Sequence, residues 1–346
     1  MRMTDSHGRR EVLPYLERVM ALAIRCRFDL GRSALGVGRA AGLLLGVAAD
    51  AVFGDPRRHH PVAIFGRAAG AAERTTYRDH KAAGVAHTLL LAGGTVALGV
   101  AVERLGKRNE LLRAVTTAAA TWVVLGGSSL AKEGTAMGRE LDSGDLDAAR
   151  ERLPSLCGRD PQRLDTMGLA KATVESVAEN TSDAVVAPLL WGAVAGVPGL
   201  LAYRAVNTLD AMIGHKSTRY LRFGWAAARL DDLANLIPAR AAALLTVAAA
   251  PVVGGSAAEA WEVWRRDASA HPSPNAGQVE AAFAGALEIR LGGRTVYSYG
   301  AEDRAVLGHG RNPDAGHVTR AVELSRVVGG LSALVAAVLA LFARRR

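Results

Sequence analysis

The sequence predicts an all-α protein: a polytopic integral membrane helical bundle with two long, mostly helical polar loops. Three observations predict it. Five runs carry almost no charge over membrane length, at residues 82–102, 114–131, 184–203, 241–258 and 327–343, each close to the roughly 17–25 apolar residues that cross a bilayer as a helix. Charges bracket them, with Arg113 and Lys132 around the second, Arg240 and Glu259 around the fourth, and Arg344, Arg345 and Arg346 after the last. Half of the 346 residues are hydrophobic, yet mean hydropathy is only +0.13, the balance expected of spans mixed with polar segments.

In chain order, residues 1–32 carry Arg25, Arg27 and Asp29 inside their apolar stretch, unlike a signal peptide. They read as a polar N-terminal extension, and residues 33–346 as a single polytopic membrane domain. Residues 33–54 are a sixth candidate span, with Arg39 and Asp50 near its ends, where long side chains snorkel. Whether that segment crosses reverses the side of every later loop. In the run 82–102, His87 is the sole ionisable group. The loop 132–183 reads as helical: Asp142-Ser-Gly-Asp145 makes a turn and cap, Asp160-Pro161 starts a further turn, and 166–178 is a helical run. Pro188 and Pro198 mark 184–203 as a candidate re-entrant or broken helix, a shape tolerated only where protein or water satisfies the backbone. The loop 259–326 starts as helix around Trp261 and Trp264, breaks at 271–277, and resumes from Gln278 to about Arg290, where Leu291-Gly292-Gly293 ends it.

Composition narrows the function. Net charge is +9, which suits anionic lipid or an anionic substrate. Aromatics are 5% and interleave with no arginine run, so nucleic acid is excluded as a partner. Cys26 and Cys157 are too few and too isolated for a disulfide framework or a zinc site.

Chemistry concentrates between Glu175 and Arg240. Glu175, Glu179 and Asp183 are spaced four apart and share a helix stripe, where they repel unless a cation sits opposite; the alternative is a solvated face partnered by Lys171. Asn180 and Thr181-Ser182 bind a ligand or cap the next helix. Asn207 and Asp210 follow at helical spacing. Gly214-His-Lys216-Ser-Thr lacks the glycines of a phosphate loop and is a basic turn. Asp231 and Asp232 are adjacent, so only one faces a site on a helix, leaving the other to pair with an arginine such as Arg229. Asp50 lies inside an apolar run, a functional candidate by position.

Several ordered runs carry a resemblance. They are Gly54-Asp-Pro with His60-Pro-Val and Gly66-Arg67; Glu175-Ser-Val-Ala-Glu-Asn-Thr-Ser-Asp183; Tyr203-Arg-Ala-Val-Asn-Thr-Leu-Asp-Ala-Met-Ile-Gly214; Phe223-Gly-Trp-Ala-Ala-Ala-Arg-Leu-Asp-Asp232 with Asn235-Leu-Ile-Pro-Ala-Arg240; and His271-Pro-Ser-Pro-Asn-Ala-Gly277. Over roughly residues 42–300 the chain resembles adenosylcobinamide-phosphate synthase, a membrane family of cobalamin biosynthesis. It departs from the family pattern at Glu288 and at 294–300.

The resemblance implies a multi-pass cell-membrane enzyme, an ATP-dependent acid–amine ligase. It joins the remaining propionate carboxylate of adenosylcobyric acid to aminopropanol or its O-phosphate. Such chemistry needs magnesium on carboxylates and basic groups on phosphates. The candidate metal ligands are Glu175, Glu179, Asp183, Asp231 and Asp232. Candidate catalytic groups are Glu179, Asp183 and Asp232, with His60 or His271 accepting the amine proton. Asn180, Asn207, Asp210, Lys216, Arg219, Arg229, Asn235, Arg240 and Asn275 are the candidate substrate and phosphate contacts. Implied partners are the corrinoid, the amine, the lipid bilayer and other late cobalamin-pathway enzymes. A transporter or binding protein for a corrinoid or another anionic small molecule is the alternative. A cytoplasmic ATP site would gather 175–183, 207–232 and 271–277 on one side, and neither simple span count does so. The segment 184–203 is therefore expected to enter and leave by the same face.

Overall fold

The structure is a computed structural model that describes residues 35–55, 60–107, 109–297 and 300–342. The extension 1–32 lies outside these residues. In chain order the elements are α1 (Leu35–Phe53), α2 (Pro61–Thr76), α3 (Lys81–Leu105), α4 (Glu110–Val124), α5 (Gly127–Ser143), α6 (Leu146–Arg152), α7 (Thr166–Thr181), α8 (Ala187–Leu209), α9 (Trp225–Ala249), α10 (Ala257–Asp267), α11 (Ala276–Leu287), β1 (Leu291–Tyr297), β2 (Gly300–Leu307) and α12 (Ala315–Phe342). Among the described residues, six helical segments are long and apolar enough to cross a membrane. The protein is thus a polytopic helical membrane bundle.

The sixth candidate span is helix α1, and both of its charges are accommodated. Arg39 pairs with Glu103 at 2.7 Å, and Asp50 accepts from the backbone N–H and the hydroxyl of Ser128 at 3.0 and 2.8 Å. Helix α1 lies against α4 through Gly38, Gly42 and Gly46, one per helical turn. A Cβ built on Gly42 or Gly46 would stand 2.5 or 2.4 Å from the Cβ of Thr117 or Thr121. Small residues at this spacing let membrane helices approach backbone to backbone.

Helix α8 is broken. Gly196 takes φ 67° and ψ −151°, a conformation essentially confined to glycine. The chain reverses there. Asp183 and Tyr203 are twenty residues apart, which a straight helix would separate by about 30 Å, yet the Tyr203 hydroxyl lies 3.1 Å from the Asp183 carbonyl oxygen. The tip of this hairpin is held by Arg39, which donates to the Ala193 carbonyl at 3.3 Å while pairing with Glu103. Both feet therefore stand at one end of the bundle, beside the Asp50–Ser128 contact, where the Gly126 N–H donates to the Ala184 carbonyl at 3.2 Å. At the other end the start of α1 meets the end of α12, with Gly36 against Leu341.

Four boundaries differ from the sequence reading. The run 114–131 is two helices, divided at Leu125-Gly126. The apolar stretch predicted from 241 belongs to a helix beginning at Trp225, so Asp231, Asp232 and Asn235 stand on its first turns. Helix α12 starts twelve residues before the apolar run 327–343 that predicted it. Helix α11 stops at Leu287, with Glu288 as a left-handed cap at φ 57°, and an antiparallel hairpin follows that no apolar periodicity announced. Its register pairs Leu291 with Leu307 and Gly293 with Arg304 across an irregularity at Gly292. This hairpin joins α5, α6, α7, α10, α11 and the first half of α12 around an apolar core that includes Leu141, Leu153, Val174, Val263, Phe283, Leu307 and Val318, at the end of the bundle that bears the helix feet.

Candidate active site

The reversal at Gly196 and the early start of α9 create the site. Asp183 ends up beside Asp231, Glu179 and Asp210, close enough for their charges to act on one another. Asp183 is the second residue of one π-helical turn, Ser182–Val186, and Asp210 the first of another, Asp210–Gly214, a distortion that often marks functional positions in helices. Asp231 accepts from Asn207 Nδ2 at 3.2 Å and from Asn235 Nδ2 at 3.0 Å, and Asn235 in turn lies 2.9 Å from the Tyr203 hydroxyl. Glu179 is enclosed by protein yet keeps an exposed surface, and Asp183 is only half-buried. These carboxylates therefore line a polar hollow instead of packing into a core.

Asp232 turns the other way. Its carboxylate pairs with Arg229 at 3.3 Å and feels Lys216, while its carbonyl accepts from Asn275 Nδ2 at 2.7 Å. That last bond ties the 271–277 segment to α9. The three motif-bearing segments thus converge at one end of the bundle.

Glu175 belongs to a neighbouring centre. It is buried, paired with Arg159, 3.7 Å from Arg304, and accepts the Gly292 N–H at 2.7 Å. Its charge is balanced by the guanidiniums of Arg159 and Arg304, whereas the partners of Asp231 are neutral amides. The same centre contains His271 and Glu280, whose facing atoms stand 3.7 Å apart with both side chains 1% exposed. Burial, then the charge of Arg304, lowers the His271 pKa to about 4. The Ser273 N–H donates to His271 Nδ1 at 3.0 Å, so the neutral ring carries its proton on Nε2. His271 accordingly presents its Nε2–H toward Glu280.

Other predicted residues lie elsewhere. His60 caps α2 by accepting from Val62 N–H at 3.2 Å, a structural role, and no contact among the described residues joins it to the acids. Arg219 pairs with Glu73 at 2.9 Å and stacks over Tyr77 at 4.0 Å, tying the 215–224 loop to α2. Arg240 is exposed and donates back to the Leu236 carbonyl. Asn180 donates to the Ser176 carbonyl at 2.9 Å. A separate groove of about 530 Å³, lined by Glu259, Glu288, His309 and Arg311, contains none of the predicted residues.

The structure also supplies groups that sequence reading passed over. Arg204, at the foot of the hairpin, is close to Asp183 and Asp55, and its buried Nε has no hydrogen-bond partner. Glu280 is the sole charge on the helix Ala-Gly-Gln-Val-Glu-Ala-Ala-Phe-Ala-Gly-Ala-Leu, a signal that was legible. Arg304 lies on an unforeseen strand, and no sequence signal pointed to it.

Magnesium fits the donor set as an ion held by few protein ligands. Among the described residues no three acids, histidines or cysteines converge tightly enough to hold a metal by themselves. Magnesium commonly takes one or two carboxylates and completes its shell with water and substrate phosphates, and Asp183 with Asp231 offers such a pair.

Comparison with known proteins agrees with this architecture. Residues 43–325 match the model of the family described as CobD/Cbib protein. The chain is 57% identical over 307 residues to "Cobalamin biosynthesis protein CobD" of Mycobacterium tuberculosis (strain ATCC 25618 / H37Rv), covering 89% of this chain and 97% of that protein. A protein of the same name from Sinorhizobium fredii is 45% identical over 271 residues, covering 74% and 82%, and one from Chromobacterium violaceum is 43% identical over 280 residues, covering 80% and 88%. No solved structure matches. With the family model spanning most of the sequence and the bundle built as a multi-pass membrane protein, this chain belongs to the CobD/CbiB family of cobalamin-biosynthesis proteins.

Proposed function

We propose that the protein is an ATP-dependent ligase that forms an amide between the remaining propionate carboxylate of adenosylcobyric acid and aminopropanol or its O-phosphate. The observation that carries this reading is the hollow shared by Glu179, Asp183, Asp210 and Asp231, with Arg204 close to Asp183 and Lys216 close to the neighbouring Asp232. Carboxylates set against one another there call for a cation, and the two basic groups suit phosphates.

A carboxylate and an amine do not condense unaided in water, so the acid is activated first as an acyl phosphate. The carboxylate attacks the terminal phosphoryl group of ATP and ADP leaves; the amine then attacks the acyl carbon and phosphate leaves. Bound magnesium supplies charge neutralisation for the phosphoryl transfer. Asp183 and Asp231 hold it, and Asn207 and Asn235 fix the Asp231 carboxylate from both sides. Arg204 and Lys216 orient the phosphates, while the helices packed around the neighbouring apolar core keep bulk water from the activated acid.

The broken helix α8 favours a second reading, since discontinuous helices also build transport sites. One assay separates them. Purified protein in detergent, given adenosylcobyric acid, amine, ATP and magnesium, is expected to yield one ADP per corrinoid amide. Corrinoid binding without amide or ADP would leave only the transport or binding reading.

A further inference from the structure

We propose that Glu280 is the catalytic base of the amide-forming half-reaction: it removes the proton from the incoming ammonium group, with the Nε2–H of His271 facing its carboxylate. This rests on the ligase reading above and adds a residue and a role to it.

The geometry carries the argument. Glu280 and His271 are buried, and Glu280 Oε2 and His271 Nε2 both lack a hydrogen-bond partner. The 3.7 Å between the facing atoms is too long for a hydrogen bond. Asn275 Oδ1 and Arg304 Nε are buried and unpaired in the same region. Orphaned polar atoms inside a protein are costly unless a ligand or water completes them. An alkylammonium satisfies the two acceptors of this set, donating to Glu280 Oε2 and to Asn275 Oδ1, while the N–H groups of His271 and Arg304 are left for an acceptor oxygen of the substrate.

The charges that face Glu280 come from several elements. Glu175 and Glu179 approach from α7, Arg304 from β2 and Arg159 from its loop, with His271 preceding its own helix. Helix α9 contributes Asp232 only through its carbonyl to Asn275, and Arg320 of α12 reaches the far end of α11 at Leu287. Burial, reinforced by Glu175 and Glu179, holds the Glu280 pKa well above the ordinary glutamate value, which makes its carboxylate a stronger base near neutral pH. Glu179 acts electrostatically on both this centre and the Asp183–Asp231 hollow and so lies between the two.

The step balances. R–NH3⁺ gives one proton to Glu280 and becomes R–NH2. Its lone pair forms the C–N bond as the acyl C–O bond to phosphate breaks. The second nitrogen proton leaves with the phosphate.

The test compares two nucleophiles in the intact protein. Hydroxylamine is largely unprotonated at neutral pH and needs no base. Wild-type protein is expected to convert the corrinoid acid and ATP to a hydroxamate; no hydroxamate would sink the ligase reading itself, and this proposal with it. Glu280→Gln is expected to keep hydroxamate formation within about threefold while losing at least roughly a hundredfold with aminopropanol. That loss should recover as pH rises toward the pKa of the amine. Equal loss with both nucleophiles in a monodisperse variant, or no loss with either, overturns the role of Glu280. If the variant does not assemble, the wild type decides: the acidic limb of its pH–rate profile should stay in place for two amines of different basicity, and a limb that follows the amine overturns the proposal.

Discussion

Asp231 and Asp232 are neighbours in sequence with opposite fates, and the difference is a prediction. Asp231 faces the hollow between two amide donors, whereas Asp232 is neutralised by Arg229 near the surface. Asp183→Asn and Asp231→Asn remove the charge of a proposed metal ligand while keeping shape. Each is expected to lower ATP-driven amide formation at least roughly a hundredfold, or to demand far more magnesium, because such ligands contribute several kcal/mol to phosphoryl transfer. Asp232→Asn should cost far less. A magnesium titration of the three variants checks this, and equal rates for all three would contradict the assignment. His271 gives a second test. Its folded pKa is lowered to about 4 by burial and by Arg304, so its contribution to stability is complete above its ordinary pKa near 6.5 and is lost as pH falls toward 4. At about 1.4 kcal/mol per pKa unit the whole effect is roughly 3 kcal/mol. The stability difference between wild type and His271→Gln, read as melting temperature in detergent, should shrink across that window; a constant difference would contradict it. At this scale the sequence marked the acids well, because clustered charges beside apolar runs are conspicuous. It could not say that Arg159 occupies Glu175, since that pairing depends on how a loop packs.

Among the elements, the hairpin within α8 was the most legible and the β-hairpin the least. Pro188, Pro198 and the placement of polar runs on either side announced a broken segment. The reversal itself depends on Gly196, and on Arg39 and Glu103 from helices distant in sequence, which no local pattern reveals. Strands β1 and β2 pair across a short connection, with Gly292 and Gly293 both at φ 73°, and their residues carry no alternation strong enough to read. The break at Gly196 is expected to be intolerant. Gly196→Ala would place its Cβ 2.5 Å from Glu103 Oε1 at φ 67°, adding about 1–3 kcal/mol of backbone strain to the clash. Lower melting temperature together with lost activity is the expected result. Unchanged stability would mean that the chain does not turn there. Gly46→Leu, which collides with Thr121, should separate α1 from α4 and release the Asp50–Ser128 contact.

For the whole molecule, the fold assigns relative sides that span counting left open. The feet of the α8 hairpin, the start of α9 and the 271–277 segment share one end of the bundle. The α3–α4 connection lies at the other, with the start of α1 and the end of α12. Single cysteines at positions 155 and 218 should therefore be labelled from one side of intact membranes, and one at position 107 from the opposite side. Labelling of 155 and 218 from different sides would break the shared site. Reading five apolar runs and a sixth candidate from composition was sound because apolar length is a local property. The side of each loop was not, because it turns on one segment that folds back.

The central claim is that this shared site activates a carboxylate with ATP before an amine attacks. The most direct measurement uses corrinoid acid labelled with ¹⁸O in its free carboxylate. Activation as an acyl phosphate predicts one ¹⁸O transferred to inorganic phosphate for each amide formed, with none in AMP. Label in AMP, or amide formed without ATP consumption, would contradict the account.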